Sequence, residues 1–393
     1  MIKKEQLTNS RYQLLLYALG HFTVDWYSGM LKPLLPLIMM QFALSQGKVA
    51  MIPSILGVIV AFTQPLGALL GVRFKEKRMQ IISILLASIF TPLIGIAKTV
   101  PLLFVFLSIG KIGNSFFHPN GASSVGKIAF KHNHTAMSLF SMGGALGAAA
   151  APIMTIWYVK KYGLYSMPAL ASFGIIIALI LLLFIKEAKE SPIGIPQAKD
   201  LGLIKSLTVP GVKNLVLVIT LRTITTMGIS TMIPLYTRQL GYDIIWGSYF
   251  LTAAAFCGIF GNYIGAVLAD RTSPKLINIL STAIAPILGI IMLLTNNIYA
   301  MLVLYSAMTF VLFFTMGTNI SYMQELLPNR RNIASSLSMG ISWGSASIIL
   351  IGLSYLIDII GLHTAMFISL AALPVATVVS LKLVDTHKRK VTG

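Results

Sequence analysis

The stretch GALLGVRFKEK (67–77) recurs as GAVLADRTSPK (265–275), 198 residues further along the chain. Two more pairs of similar stretches stand at nearly the same separation: LPLIMMQFALS (35–45) with IPLYTRQLGYD (233–243), and SLFSMGGALG (138–147) with SSLSMGISWG (335–344). Because this separation is roughly half of the 393 residues, the sequence predicts two repeated halves.

The composition predicts that both halves lie in a membrane. The chain is 56% hydrophobic and only 10% charged, whereas a soluble protein carries about 25% charged residues. An apolar helix of about 20 residues spans the hydrocarbon core of a bilayer. The chain contains about twelve such runs, at residues 12–40, 49–72, 79–97, 101–125, 135–159, 165–185, 213–237, 245–269, 275–294, 297–323, 332–357 and 361–383.

The predicted fold is therefore an all-α membrane protein with twelve transmembrane helices in two six-helix, pseudo-symmetric halves. We place the first half at 1–185, a cytoplasmic linker at 186–212, and the second half with a short basic tail at 213–393. Parallel repeats of six helices characterise one large transporter architecture. The linker is rich in Lys and Pro, and we expect it to let the halves rock.

The basic charge is explained by membrane topology. The net charge is +19, and most Lys and Arg residues fall in alternate loops, as the positive-inside rule requires. This pattern predicts a multi-pass protein of the bacterial inner membrane with both termini in the cytoplasm, and it argues against nucleic-acid binding. The single cysteine, Cys257, excludes an internal disulfide and a cysteine-based metal site.

The sequence resembles the major facilitator superfamily, and within it the branch named for fosmidomycin-resistance proteins. The stretches that carry this resemblance are HFTVD (21–25), FFHP (116–119), SLFSMGGALG (138–147) and YMQELLPNR (322–330). The resemblance implies a proton-coupled drug exporter. The chain departs from the branch at Asn120, where an acidic residue is usual, and at Val72, where the superfamily loop motif has the aspartate that Asp270 supplies in the second half.

Four ionisable residues fall near the middle of predicted spans: His21 and Asp25 in the first, Lys111 in the fourth and Arg222 in the seventh. Each lies about 14–20 Å from a helix end at 1.5 Å per residue. A charge at this depth costs about 2.5–3.5 kcal/mol. His21 and Asp25 share a helix face at i and i+4, and we predict that Asp25 carries the coupling proton and His21 modulates it. A permanent Asp25–Lys111 or Asp25–Arg222 pair that only fixes helix packing is the alternative.

The surplus of positive charge near the midplane predicts a small anionic or zwitterionic substrate, because arginine pairs well with carboxylates and phosphonates. The residues that we predict to bind the substrate are Trp26, Lys111, Asn114, His118, Arg222, Asn319 and Tyr322. Several of them have structural alternatives. His118 could satisfy carbonyls freed by Pro119, Trp26 could pack against other helices, and the polar residues of the tenth span could only join helices.

Two further sets are predicted to act on helix movement and packing. The predicted gating residues at the cytoplasmic helix ends are Arg73, Asp270, Arg271, Glu325 and Arg330. The predicted close helix contacts lie at Gly143, Gly147, Gly340 and Gly344. Glycine lets helices approach closely, either as generic packing or as a seam that blocks proton leak.

The predicted function is proton-coupled secondary export (antiport) of drugs or metabolites, including antibiotic efflux, by a monomer that contacts lipid, protons and a small-molecule substrate. Neither cofactor nor metal nor enzymatic activity is expected. GASSVGK (121–127) fits a phosphate loop, but Ile128 replaces its Ser or Thr and the stretch ends an apolar helix. His21, Asp25 and His118 lack the short spacing of a metal site. An importer of an anionic metabolite, and a non-transporting receptor or assembly factor, stay open as alternatives.

Overall fold

The computed structural model describes residues 4–128, 133–186, 202–328 and 330–386. Residues 187–201 of the predicted linker and residues 387–393 of the predicted basic tail lie outside this set. The chain divides into two compact units. Unit 1 comprises Met1–Leu34 and Ile59–Ile195, and unit 2 comprises Leu35–Val58 and Pro196–Gly393.

The described residues form helices and no strands. The helices are α1 Lys4–Gly29, α2 Leu31–Gln41, α3 Gln46–Phe74, α4 Glu76–Phe90, α5 Val100–Ile128, α6 Asn133–Tyr162, α7 Ala171–Phe184, α8 Gly202–Leu207, α9 Val212–Gln239, α10 Ile244–Arg271, α11 Pro274–Leu294, α12 Ile298–Phe313, α13 Met316–Leu326, α14 Arg331–Ser335, α15 Ser342–Ile360 and α16 Leu362–Leu381. Two 3₁₀ turns, at Thr91–Ile96 and Leu164–Leu170, and one π-helical turn, at Ser336–Ile341, connect some of them.

The predicted class of all-α membrane protein is confirmed. Within the described residues, 11 helices are long and apolar enough to cross a membrane. The run predicted at 12–40 is not among them, since it divides at Met30 into α1 and α2 and α1 is too polar to qualify. Many large apolar side chains are exposed, among them Leu183, Val303 and Ile359, as contact with lipid chains requires.

In unit 1, α1 packs against α6 over most of its length. The contact depends on small residues, because a Cβ at Gly143 would lie 2.3 Å from the carbonyl oxygen of Ala18. A Cβ at Gly147 would lie 2.1 Å from the carbonyl oxygen of Phe22. Glycine therefore lets the two backbones touch, and this brings the polar residues of α1 next to α6.

The glycines of the matching stretch in the second half behave differently. Gly340 lies in the π-helical turn, and a Cβ there would meet no described atom within 4 Å. Gly340 therefore makes no close contact with described residues in this structure, and its packing role stays a prediction. Gly344 is buried on α15.

In unit 2, Asp358 near the end of α15 holds the start of α3. Its carboxylate accepts hydrogen bonds from the Ser45 hydroxyl at 2.6 Å and from the backbone N–H of Gly47 at 2.8 Å. A negative charge at a helix N-terminus is favourable, because the first N–H groups have no partner within the helix. Leu35–Val58 thus belongs to the first half by sequence repeat and to unit 2 by its contacts.

We expect Gly147→Ala to lower the stability of the protein by about 1–3 kcal/mol, because the added methyl group overpacks the α1–α6 contact. The measurement is the midpoint of thermal unfolding in detergent. Gly340→Ala is the matched control, and it should leave the midpoint unchanged or raise it slightly, since alanine favours helix by about 1 kcal/mol. Equal midpoints for the two variants would contradict this account of the packing.

Candidate functional site

The polar cluster predicted around Asp25 is present in unit 1. His21 and Asp25 lie one turn apart on α1, and His21 Nε2 is 3.2 Å from Asp25 Oδ2. Asn114 and His118, also one turn apart, face them from α5. Asn114 Nδ2 donates to Asp25 Oδ1 at 3.0 Å, and His118 Nε2 is 3.4 Å from the same oxygen. The side chain of Asp25 keeps 20% of its surface exposed.

Helix α6 fixes the orientation of His21. The imidazole stacks on the ring of Phe140 with centroids 4.2 Å apart, and its Nδ1 lies 2.8 Å from the Phe140 carbonyl oxygen. Gly144, one turn further along α6, leaves the room that the pair occupies. A Cβ there would lie 2.4 Å from His21 Nε2 and 2.6 Å from Asp25 Oδ2.

This arrangement defines how many protons the pair holds. A carbonyl oxygen can only accept, so Nδ1 of His21 carries a proton. In a neutral imidazole Nε2 would then present a lone pair to the Asp25 carboxylate, and the two atoms would repel. The 3.2 Å approach of Nε2 to Oδ2 is therefore favourable when the pair holds one further proton, either on His21 as an imidazolium or on Asp25 as a carboxylic acid.

Lys111 has other partners than Asp25. Its Nζ donates to the Ser28 hydroxyl at 2.6 Å and to the Ser28 carbonyl oxygen at 3.1 Å. Among the described residues, no ion pair joins Lys111 to Asp25. The alternative of a permanent Asp25–Lys111 pair is therefore not realised in this structure.

The cluster also brings together three side chains that can act as metal ligands. One ligand atom each from His21, Asp25 and His118 lies within 4.8 Å of the others. Sequence spacing could not reveal this, because His118 comes from a different helix. The contacts within the cluster are already made directly, so the geometry does not require an ion.

A second polar site lies in unit 2 around Arg222, which is 5% exposed. Arg222 Nε donates to the Leu312 carbonyl oxygen at 2.8 Å, and the guanidinium lies 5.8 Å from the centre of the Phe313 ring. The helix is interrupted here between α12 and α13. Asn262 Oδ1 accepts a hydrogen bond from the backbone N–H of Gly317 at 2.9 Å.

A cavity adjoins this guanidinium, and its lining brings together residues of α9, α13, α15 and the π turn. The polar and aromatic residues of the lining are Arg222, Thr315, Asn319, Ser338 and Trp343. Sequence analysis identified Arg222 and Asn319 but missed the π turn at Ser336–Ile341. Such turns often mark functional sites, and the sequence offered no signal for this one.

Residues 17–350 match the profile of the Major Facilitator Superfamily. The chain belongs to this superfamily. It is therefore a multi-pass membrane transporter and not an enzyme, and it binds a small-molecule substrate.

Two relatives have names that bear on function. The chain is 24% identical over 390 residues to the uncharacterized MFS-type transporter YfnC of Bacillus subtilis (strain 168). This alignment covers 95% of this chain and 93% of that protein. It is 23% identical over 342 residues to the fosmidomycin resistance protein of Escherichia coli (strain K12). This alignment covers 83% of this chain and 82% of that protein.

Solved structures share the superfamily fold. A bacterial homolog of the human lysosomal transporter Spinster, solved in an inward-facing and unoccupied conformation, matches with a TM-score of 0.79 at 15% identity and covers 95% of this chain and 98% of that one. A POT family transporter in complex with 5-aminolevulinic acid matches with a TM-score of 0.74 at 14% identity over 94% of both chains.

Two residues predicted to bind substrate have packing roles in this superfamily member. Trp26 is buried, and its ring contacts Tyr27 and Phe173 at centroid distances of 5.0 and 5.2 Å. Tyr322 is fully buried, and its hydroxyl donates to the Val384 carbonyl oxygen. Tyr322 does not line the Arg222 cavity, since its side chain is directed at the segment that follows α16.

The predicted gating residues have the following surroundings. Arg73, Asp270 and Arg271 are exposed, and Asp270 makes no hydrogen bond or ion pair with any described side chain. Glu325 accepts a hydrogen bond from the Thr386 hydroxyl at 2.6 Å, and Arg330 Nη1 lies 3.5 Å from the Ser206 hydroxyl. Their gating role stays a prediction.

Asn120 explains one departure from the resembled branch. Its side chain is 2% exposed, and Nδ2 donates to the carbonyl oxygens of Gly67 at 2.9 Å and Phe116 at 2.7 Å. An ionised carboxylate has no proton to donate. The amide therefore ties α5 to α3 at a position where aspartate or glutamate could not make the same bonds.

We expect Asn114→Ala to lower stability by about 1–3 kcal/mol, because it removes a donor from a partly buried carboxylate. The readout is the midpoint of thermal unfolding in detergent. Asn214→Ala is the control, since the Asn214 amide makes only an exposed 3.4 Å bond to the Lys382 carbonyl oxygen and should cost less than about 0.5 kcal/mol. A midpoint for Asn114→Ala equal to that of the control would show that Asn114 does not stabilise Asp25.

Proposed function

We propose that this transporter is a proton-coupled antiporter that exports small anionic or zwitterionic molecules by alternating access. The observation that supports proton coupling is the 3.2 Å approach of His21 Nε2 to Asp25 Oδ2, which is favourable with one proton more than a neutral imidazole and an ionised carboxylate carry. Ionisable groups at this depth in a bilayer are functional sites by default.

The Asp25 carboxylate can accept either a proton or a hydrogen bond from the substrate, and this is how the two would be exchanged. With the extra proton present, His21 and Asp25 satisfy each other at 3.2 Å. When the proton leaves, Nε2 and Oδ2 repel, and Asp25 becomes an acceptor for a hydrogen-bond donor of the substrate. Proton and substrate then compete for one carboxylate, which is the condition for antiport.

The surroundings of Asp25 favour an anionic or zwitterionic substrate. His118 adjoins the carboxylate in unit 1, and Lys111 precedes Asn114 by three residues on the same helix. Arg222 is buried in unit 2 without an ionised partner among the described residues. Export is favoured by the relative named for fosmidomycin resistance. We place both termini in the cytoplasm, because Lys and Arg concentrate in alternate loops. We further propose that the protein lies in the bacterial inner membrane and acts as a monomer.

The test is accumulation of fosmidomycin, and of a panel of small carboxylates and phosphonates, in everted membrane vesicles energised by a proton gradient. We expect wild type to accumulate at least one of these compounds. Asp25→Asn should reduce gradient-driven accumulation by more than about tenfold, since removing a proton carrier removes the coupled step. The protein level and unfolding midpoint of this variant should stay close to those of wild type.

Asp243→Asn is the matched control, because Asp243 is exposed and caps α10 by accepting from Ile245 N at 2.9 Å. Asparagine caps helices equally well, so transport should persist in this variant. Full gradient-driven accumulation by Asp25→Asn would refute the role of Asp25. Accumulation by wild type only in right-side-out vesicles would identify an importer and refute export.

A further inference from the structure

We infer that unit 2 contains an anion-binding subsite, formed by the guanidinium of Arg222 and the amide of Asn319, which receives the carboxylate or phosphonate group of the substrate. The inference rests on the proposed function, because it assumes that the anion belongs to the transported molecule. It assigns the charged end of the substrate to a site separate from the Asp25 cluster.

Arg222 carries a charge that the described part of the chain does not neutralise. Arginine stays protonated in proteins, and this side chain is only 5% exposed. No acidic residue of the described part of unit 2 forms an ion pair with Arg222. Three of them make other contacts: Asp243 caps α10, Glu325 accepts from Thr386, and Asp358 accepts from the start of α3. A buried charge without a counter-charge is strongly unfavourable, so an anionic ligand would stabilise this site.

The backbone around Arg222 fixes the direction of the guanidinium. The break between α12 and α13 leaves the Leu312 carbonyl oxygen free to accept from Nε at 2.8 Å. With Nε held, both terminal amino groups of the guanidinium have no partner among the described residues. Two parallel N–H groups match the two oxygens of a carboxylate or phosphonate.

Asn319 supplies a second unused donor on the same cavity. The residue is 2% exposed, and its Nδ2 is buried without a hydrogen-bond partner among the residues that the structure describes. The orientation of the amide is determined by Asn278, whose Nδ2 donates to the Pro274 carbonyl oxygen at 2.9 Å and to Asn319 Oδ1 at 2.7 Å. Oδ1 of Asn319 is therefore the acceptor, and Nδ2 is left to donate.

The remaining polar groups of the cavity do not compete for an anion. The hydroxyl of Thr315 donates to the Leu312 carbonyl oxygen at 3.2 Å, and the hydroxyl of Ser338 donates to the Ala334 carbonyl oxygen at 2.9 Å. Among the described residues, the unused donors of the lining are thus those of Arg222 and Asn319 and the indole N–H of Trp343, and none of the lining residues is acidic. A site that offers donors and no carboxylate selects anions.

The cavity has a volume of about 10 Å³ in this structure, which is room for about one water molecule, so binding of an organic anion requires the cavity to widen. Apolar side chains of Ile219, Met316, Ile320 and Met339 line it together with Trp343. The π turn at Ser336–Ile341 contributes Ser338 and Met339 to this wall. Trp343 lies on the lining and provides a fluorescent reporter for ligand binding.

The test is titration of the purified full-length protein in detergent with propylphosphonate and butyrate, without any proton gradient. Binding is followed as the tryptophan fluorescence change that is missing in Trp343→Phe. Diethyl propylphosphonate, which is neutral, is the matched probe. We expect saturable binding of the two anions and at least about tenfold weaker binding of the neutral ester, since a hydrogen bond to a charged group contributes roughly tenfold or more in affinity.

Arg222→Gln should weaken binding of both anions by at least about thirtyfold, and Asn319→Ala by about three- to tenfold. Arg222→Lys keeps the charge but not the paired donors, so it should bind between wild type and Arg222→Gln. Arg238→Gln is the control on the same helix, because Arg238 is exposed at the end of α9. The affinity of this variant for the two anions should lie within about twofold of wild type. If Arg222→Gln does not fold, Arg222→Lys and Asn319→Ala decide the question.

Three results would overturn the subsite: anion affinity in the Arg222 variants equal to that of Arg238→Gln, equal affinity for the neutral ester and the anions, or no saturable response of wild type. The proposed function fails separately. Arg222-dependent anion binding without gradient-driven transport would refute the antiporter and keep the subsite. Gradient-driven transport with anion binding independent of Arg222 would refute only the subsite.

Discussion

The contact between His21 and Asp25 is the interaction on which the functional account depends. The carbonyl oxygen of Phe140 accepts a hydrogen bond from one imidazole nitrogen, so the approach of the other nitrogen to the carboxylate is favourable when the pair holds an extra proton. Three helices cooperate in this contact. Helix α1 carries the pair, α6 orients the imidazole and leaves space at Gly144, and α5 supplies Asn114 to the second carboxylate oxygen.

The two units present different chemistry. Unit 1 contains a carboxylate, Asp25, that can bind a proton. Unit 2 contains the buried guanidinium of Arg222 and the amide of Asn319, whose Nδ2 has no partner among the described residues, beside the interruption between α12 and α13. Broken membrane helices commonly form substrate sites in transporters, because the freed backbone groups can bind polar ligands or side chains.

Sequence reasoning reached the membrane class, the superfamily and the shared face of His21 and Asp25, because these depend on composition, repeats and helical periodicity. It named Asn114 and His118 among the predicted substrate-binding residues, and the structure places both of them next to Asp25. It missed the contacts that arise only when helices pack, such as the Phe140 carbonyl at His21 and the bond from Tyr322 to Val384. Gly340 shows the limit of repeat matching, since the same Ser-Met-Gly letters form a regular helix in α6 and a π turn in the second half.

Counting protons released on substrate binding tests the central claim most directly. Fosmidomycin, or whichever panel compound the vesicles accumulate, is added to the purified protein in weakly buffered detergent solution, and the pH change is compared between wild type and Asp25→Asn. The account predicts that wild type releases more protons per bound substrate than the variant, because substrate replaces the proton shared by His21 and Asp25. Equal proton release from both proteins, with substrate bound to each, would contradict it.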